Sequence, residues 1–173
     1  MANQVMNIAR GKIAYYYYAV ENSLVVTAAG TPALTSTANA AFVLLMLETT
    51  GLEADDTLNN YDDLAALLAA ANNEPTGGTY VRKILTDADL AAVPAPNDTT
   101  NTLNLIIPDV VWTALTTTGN AAISKLLVCF DPDSTAGTDS SIIPLTHHDF
   151  SFTPDGTDVT ADVSASLGFY QSG

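Results

Sequence analysis

The sequence predicts a mainly β protein: an antiparallel β-sandwich or barrel-like domain with one or two short helices and an N-terminal arm. Three observations lead to this prediction. Of the 173 residues, 47% are apolar and only 14% are charged, which suits one hydrophobic core rather than two full domains. From residue 102 onward, short apolar segments alternate with Gly, Pro, Asn and Asp, as in antiparallel sheets. Only two segments, both short, carry helical signals.

Residues 1–20 are predicted to form the N-terminal arm, followed by a single β-rich domain over residues 21–173. Four consecutive tyrosines at positions 15–18 favour a strand, because aromatic side chains fit a pleated surface. Neighbouring side chains of a strand face opposite sides. One tyrosine pair therefore needs cover, either from an adjacent subunit or from the chain's own sandwich, and both explanations stay open.

The charge of the arm differs from that of the remaining chain. The protein has 19 acidic and 5 basic residues, a net charge of −14, and such a surface repels phosphate backbones and anionic lipid headgroups. Residues 1–20 contain two bases and no acid, which indicates contact with an acidic neighbour; the alternative is chance placement of two cations. The candidate interface residues are Ile8, Arg10, Lys12, Ile13, Tyr15, Tyr16, Tyr17 and Tyr18.

The middle of the chain begins with a predicted short strand at residues 24–27 and a loop rich in small residues and threonine at 28–39. Residues 41–49 form a nearly continuous apolar run. A run of this length predicts a strand buried on both faces, and a short buried helix is the alternative.

Two short helices are predicted between residues 61 and 92. The first covers 61–71, where Leu64, Leu67, Leu68 and Ala71 fall on one face at the spacing i, i+3, i+4, i+7. The second covers 87–92, where Thr86 and Asp89 are placed to form a capping box.

The remainder of the chain is predicted to be all β. The best local hairpin is 150–159, because its centre, Pro-Asp-Gly, is turn chemistry. The aromatic residues Trp112, Phe130, Phe150 and Phe152 are expected in one core. The predicted strands are 103–107, 110–115, 122–130, 142–145, 148–152, 159–163 and 168–170.

Residues with metal-binding or nucleophilic side chains are given structural interpretations. Cys129, the only cysteine, lies in an apolar run and is expected to be a buried, inert thiol. His147 and His148 are adjacent on a strand and face opposite sides, so we expect strand-edge histidines rather than a metal site. The loop 131–139 places three aspartates around a glycine but has isoleucine where a calcium loop needs glutamate. We expect aspartates that cap backbone amides there, with a bound cation as the minor alternative.

The sequence carries no Gly-x-Ser-x-Gly elbow, phosphate-binding Walker loop or dinucleotide-binding Gly-x-Gly-x-x-Gly pattern. We therefore expect a protein that is not an enzyme, with no catalytic residue, cofactor or metal. The N-terminus lacks the features of a signal peptide, and the apolar run 40–47 is far shorter than the ~20 residues of a membrane-spanning helix. Synthesis in the cytoplasm is expected.

Seven short segments within residues 40–170 form a combination of motifs. They are 51–58 (GLEADDTL), 61–68 (YDDLAALL), 108–114 (PDVVWTA), 119–129 (GNAAISKLLVC), 131–134 (DPDS), 142–150 (IIPLTHHDF) and 153–156 (TPDG). Together they resemble a family of small virion-associated proteins of tailed bacteriophages. The resemblance implies a structural component of the virion and supplies no catalytic motif.

Three functions follow from these observations. The first is an outer capsid decoration or cement protein, whose acidity suits a surface that faces away from packaged DNA. Its partners would be the major capsid protein or other virion subunits, with self-association within the particle and no binding to nucleic acid or membrane. The second is a neck, tail or fibre-associated protein, and the weaker third is a module that binds host carbohydrate.

Overall fold

The computed structural model describes residues 3–26, 32–33, 39–163 and 168–172. The helices are α1 (Ile13–Glu21), α2 (Asp55–Leu58) and α3 (Leu64–Ala69), with 3-10 turns at Asn7–Ala9, Asp87–Asp89 and Asp139–Ser141. The strands are β1 (Asn3–Val5), β2 (Val25–Val26), β3 (Pro32–Ala33), β4 (Ala41–Glu48), β5 (Lys83–Leu85), β6 (Leu103–Leu105), β7 (Val110–Trp112), β8 (Ile123–Asp131), β9 (Ile143–Phe152), β10 (Val159–Ala161) and β11 (Tyr170–Ser172).

The fold is mainly β and its strand pairs are antiparallel, which confirms the predicted class. The largest sheet has the order β1-β9-β8-β4-β5. Three two-stranded ladders, β10–β7, β11–β6 and β2–β3, complete the described sheets. The five-stranded sheet is open at both edges, so the arrangement is compatible with a sandwich and is not a closed barrel.

The longest apolar segment of the large sheet is β4, which lies between β8 and the edge strand β5. Seven consecutive residues of β4, Ala41 to Leu47, are buried, which confirms the prediction of a strand covered on both faces. β4 pairs with β8 from Ala41 opposite Asp131 to Glu48 opposite Ile123. Because both faces of such a strand need apolar cover, other elements must pack on each side of it.

One face of the sheet is covered by α1 and by short ladders. Tyr16 of α1 stacks on Phe130 with ring centroids 4.4 Å apart, and Phe42 shares this face because it lies directly opposite Phe130. Lys83 of β5 lies opposite Leu44, two residues after Phe42, so it is on the same face as Phe42. The Nζ atom of Lys83 is 5.8 Å from the ring centroid of Trp112. The β7–β10 ladder therefore lies over the same face as α1.

The other face is covered by α2 and α3. Asn59, which follows α2 directly, lies against His147 of β9. Leu64 of α3 is buried, and its amide donates to the carbonyl of Ile142 at 2.9 Å. The two helices thus cover the side of the sheet that α1 leaves open.

The strand interpretation of residues 15–18 is wrong, because this segment is part of helix α1. Buried side chains recur at Ile13, Tyr16, Tyr17 and Val20, the i, i+3, i+4, i+7 pattern of an amphipathic helix. Packing of this face on the sheet outweighs the local strand preference of a tyrosine run. The cover for the two buried tyrosines comes from the chain's own core.

Both predicted helices exist in shorter form. The first begins at Leu64 rather than residue 61, because the Asp63 carboxylate accepts from the Ala66 amide at 2.8 Å and caps the helix there. It ends at Ala69, where the Asn72 side chain donates to the Leu67 carbonyl. The second is a single 3-10 turn at Asp87–Asp89, and its capping box between Thr86 and Asp89 is confirmed.

The predicted hairpin at 150–159 is wrong in its pairing. Asp155 forms the expected turn by accepting from the Thr157 amide at 3.0 Å, but β10 then pairs with β7 instead of β9. Strand β9 pairs with β8 on one side and, at residues 146–148, with β1 on the other, whereas pairing with β7 places Ala161 of β10 in the core. The segments predicted separately at 142–145 and 148–152 form this one strand.

Several predictions concern residues near or beyond the described ranges. The predicted loop at 28–39 lies largely outside them, except for Pro32–Ala33, which pairs with β2, and Asn39. The strands β1 and β5 were not predicted.

Of the four aromatic residues expected in one core, Trp112 and Phe130 are buried, whereas Phe150 and Phe152 are half-buried against it.

Candidate interaction surfaces

Positive charge on this protein is confined to a few positions, and most of them are engaged internally. Arg82 and Lys125 form ion pairs with acidic side chains, and Lys83 lies over the ring of Trp112. The two remaining bases, Arg10 and Lys12, are exposed and form no ion pair within the described residues. We call Arg10, Gly11 and Lys12, at the start of α1, the cationic corner.

The predicted interface residues divide into two groups. Ile13, Tyr16 and Tyr17 are each 1% exposed and serve the core, so in the folded chain they are not accessible to a partner. Ile8 and Tyr15 are half-buried, and Arg10, Lys12 and Tyr18 are exposed. The role of the segment as an interface stays a prediction, and it now concerns the exposed and half-buried residues alone.

A groove of about 390 Å³ lies where the end of β9 meets the segment leading to β10. Its apolar lining includes Val159 and the rings of Phe150 and Phe152, which meet edge to face with centroids 5.3 Å apart. Asp155 and Asp158 add two carboxylates. Each uses its Oδ1 atom to hold a backbone amide, that of Thr157 or Ala114. We call this feature the acidic groove.

An ionic network centred on a buried lysine joins four elements on the α2 side of the sheet. Lys125 of β8 is 5% exposed, and its Nζ lies 2.7 Å from Asp55 Oδ1 and 2.6 Å from Asp149 Oδ1. Asp55 also accepts from the Gln4 amide at 3.2 Å. Because a buried ammonium without partners costs several kcal/mol, the pairing fixes α2 and β9 relative to β8.

The hydrogen bonds of this network define the tautomer of His147. Gln4 donates to Asp55, so its Oε1 accepts from Asn59 Nδ2 at 2.6 Å. Asn59 Oδ1 must then accept from His147 Nε2, which lies 3.1 Å away. The proton is on Nε2, and the buried Nδ1 has no partner among the described residues.

Both histidines lie within the sheet and not at its edge, so the strand-edge interpretation is wrong. Their opposite orientation is confirmed, since His147 bonds to Asn59 and His148 to Thr146 Oγ1 at 2.8 Å. Burial lowers the pKa of His147. Burial, reinforced by the nearby His147 ring, lowers the pKa of His148 to about 4. Both rings are therefore neutral at pH 7.

Acidification is expected to destabilise the protein between about pH 6.5, the ordinary histidine pKa, and pH 4. In this window the unfolded chain binds protons that the folded chain does not, so the free energy of unfolding falls as the pH falls. His148 contributes up to ~1.4 kcal/mol per pH unit in this window, and the lowered pKa of His147 acts in the same direction. Urea denaturation at pH 7.0 and 5.0 measures the difference. Replacing His148 with glutamine should reduce it, and an unchanged difference would contradict the assignment.

The three aspartates of loop 131–139 have structural partners. Asp131 accepts from the Asp133 amide at 3.0 Å, and Asp133 accepts from the Thr135 amide at 3.1 Å. Asp139 binds Arg82, whose Nη2 lies 2.9 Å from Asp139 Oδ2 and 2.7 Å from Glu74 Oε2. The predicted capping of backbone amides is confirmed for the first two, while the third closes an ion pair with the segment before β5.

Cys129 is fully buried, which confirms its placement, and burial raises the pKa of its thiol. Within the described ranges, no three histidine, cysteine or acidic side chains lie together as a metal site would require. In the same ranges no helix is long and apolar enough to span a membrane.

Comparison with family models, with curated proteins and with solved structures finds no match to this chain. The resemblance to virion proteins of tailed phages therefore stays a prediction. Sequence reasoning found the cationic corner from its charge but missed the acidic groove. It also missed the ionic network, for which the placement of Lys125 inside an apolar strand was a usable signal, because a buried lysine requires acidic partners.

Proposed function

We propose that the chain is a non-enzymatic structural component of a tailed-phage virion, an outer capsid decoration or cement protein that binds and stabilises the shell. The observation that carries the proposal is the distribution of charge. The surface is strongly acidic, and among the described residues the cations with neither an ion-pair partner nor an aromatic partner are the two of the cationic corner. A protein with this surface avoids packaged DNA and meets its partners at defined points.

Exposed apolar side chains near one sheet edge support a contact with a protein shell. Val81, Ile84 and Val111 are 59%, 50% and 42% exposed. Ile84 belongs to the edge strand β5, and the Val81 carbonyl accepts from the Trp112 ring nitrogen at 2.9 Å, which brings Val81 beside β7. Burial of these side chains would give an association that persists at moderate salt, because screening weakens exposed charge pairs far more than apolar contacts.

A neck, tail or fibre location is the second candidate, and copy number separates it from the first. Hundreds of copies per particle favour the capsid, whereas far fewer favour the tail. The carbohydrate-binding alternative loses support, because Trp112 is the only tryptophan and is 1% exposed. It is not available to stack on a sugar ring.

Purified protein is expected to bind particles that lack it and to raise their resistance to heat, because apolar contacts with the shell add to its stability. The protein is mixed with undecorated capsids and, separately, with duplex DNA, and both mixtures are followed by sedimentation at low and moderate salt. Binding to capsids at both salt concentrations supports the proposal. Binding to DNA alone overturns it, and binding to neither favours the tail.

A further inference from the structure

The cationic corner and the acidic groove are chemically complementary. The corner presents a guanidinium and an ammonium, Arg10 and Lys12, to solvent. The groove offers two carboxylates beside two aromatic rings. Cations bind favourably to carboxylates and to the faces of aromatic rings. A basic side chain can therefore satisfy both parts of the groove at once.

The two surfaces lie too far apart to meet within one chain. The turn that leads to the corner starts where the Met6 amide donates to the Leu145 carbonyl, near the start of β9. The groove lies at the other end of this strand, at Phe150 and Phe152. Extended strand of about 17 Å leads from Leu145 to Phe150 and of about 23 Å to Phe152. After the corner, Tyr16 of α1 stacks on Phe130, which pairs with Ile143, so the chain on both sides of the corner stays at the start of β9. We therefore expect a contact between corner and groove to join different molecules.

We propose that the cationic corner of one copy docks into the acidic groove of a second copy. Arg10 or Lys12 enters between the carboxylates of Asp155 and Asp158 and contacts the ring of Phe150 or Phe152. This contact rests on the proposed function, because it makes a second copy the neighbour of the subunit within the virion. Each copy keeps a free corner and a free groove, so the contact is head-to-tail and produces rings or chains.

The groove carboxylates are prepared for this contact. The hydrogen bonds to the Thr157 and Ala114 amides hold the Asp155 and Asp158 side chains through Oδ1. The Oδ2 atom of each carboxylate makes no hydrogen bond with the described residues. The pKa of Asp155 is lowered by its hydrogen bonds from Thr157, which keeps this carboxylate ionised. An incoming cation thus finds fixed negative charge.

The contact is expected to be weak in dilute solution and effective on a particle. Exposed ion pairs contribute little individually and are screened by salt. Copies held side by side on a shell are at high local concentration, which strengthens a weak contact by avidity. Self-association should therefore depend on salt, unlike the apolar association with the shell.

Sedimentation equilibrium of purified protein at increasing concentration tests the contact. At about 0.05 M NaCl the average mass should rise with concentration, and at about 0.5 M NaCl the rise should disappear. A corner variant, Arg10→Glu with Lys12→Glu, should associate at least about tenfold more weakly. The groove variant, Asp155→Asn with Asp158→Asn, should lose association equally while keeping the Oδ1 acceptors. The control, Asp62→Asn with Asp98→Asn, removes the same charge elsewhere and should associate as the original protein does.

Mixing separates a head-to-tail contact from other modes of association. The corner variant keeps an intact groove and the groove variant an intact corner, so an equal mixture should form one-to-one complexes that neither forms alone. Absence of these complexes, or association unchanged in either variant, overturns the contact. A protein that stays monomeric at every concentration yet binds capsids also overturns it and leaves the proposed function standing. Self-association without binding to capsids supports the contact between copies and overturns the proposed capsid function.

Discussion

Replacing Trp112 with alanine is expected to lower the free energy of unfolding by about 3–5 kcal/mol. Trp112 is 1% exposed and is the largest fully buried side chain of the described structure. Its ring fills the space between the β7–β10 ladder and the large sheet, where Lys83 lies over it. The truncation leaves a cavity and removes the hydrogen bond to the Val81 carbonyl.

Urea denaturation followed by circular dichroism measures the Trp112 effect, and Val111→Ala is the matched control. Val111 is the preceding residue of the same strand but is 42% exposed, so its replacement should cost about 0.5 kcal/mol or less. The difference between adjacent positions tests the direction in which β7 faces. Equal losses in the two variants would contradict the placement of Trp112 in the core.

The long central strands could be predicted because their sequence alone requires burial. An apolar run such as 41–47 has no polar face to turn toward water, so it must be covered on both sides. Strands β1 and β5 have three residues each, too few to show a periodic pattern. They form because a long neighbouring strand offers an unpaired edge, and this depends on tertiary contacts.

The pairing of β10, the acidic groove and the identity of the partners of Lys125 could not be predicted for a related reason. A turn sequence such as Pro154-Asp155-Gly156 reverses the chain locally but does not identify the strand that accepts the next segment. The Lys125 network joins residues from positions 4 to 149. The groove likewise depends on where the 153–160 segment returns to the sheet. Single-sequence patterns do not encode such distant proximity.

Helix α1 shows a different kind of error, because its sequence contained the correct signal. Ile13, Tyr16, Tyr17 and Val20 are spaced as one face of a helix. The strand interpretation followed from the β preference of aromatic residues, which is weaker than the packing of a complete apolar face. The two interpretations assign Tyr16, Tyr17 and Tyr18 to different faces, and this makes them separable by mutation.

Replacing Tyr16 with alanine is expected to cost about 3–5 kcal/mol of the free energy of unfolding, by analogy with other buried aromatic residues. Tyr16 is 1% exposed and stacks on Phe130 with an interplanar angle of 23°. Tyr17→Ala should have a similar effect, because this residue is also 1% exposed and its hydroxyl donates to the Ile106 carbonyl at 2.8 Å. Tyr18 is 44% exposed, and Tyr18→Ala should cost about 0.5 kcal/mol or less.

The order of these three effects distinguishes a helix from a strand. On a strand, Tyr16 and Tyr18 share a face and Tyr17 lies on the other, so the first and third substitutions would have matching effects. On α1, Tyr16 and Tyr17 point into the core and Tyr18 points outward. Urea denaturation of the three alanine variants therefore decides the matter: two large losses followed by a small one support the helix. Matching losses at Tyr16 and Tyr18 would restore the strand and would free two aromatic side chains for contact with another subunit.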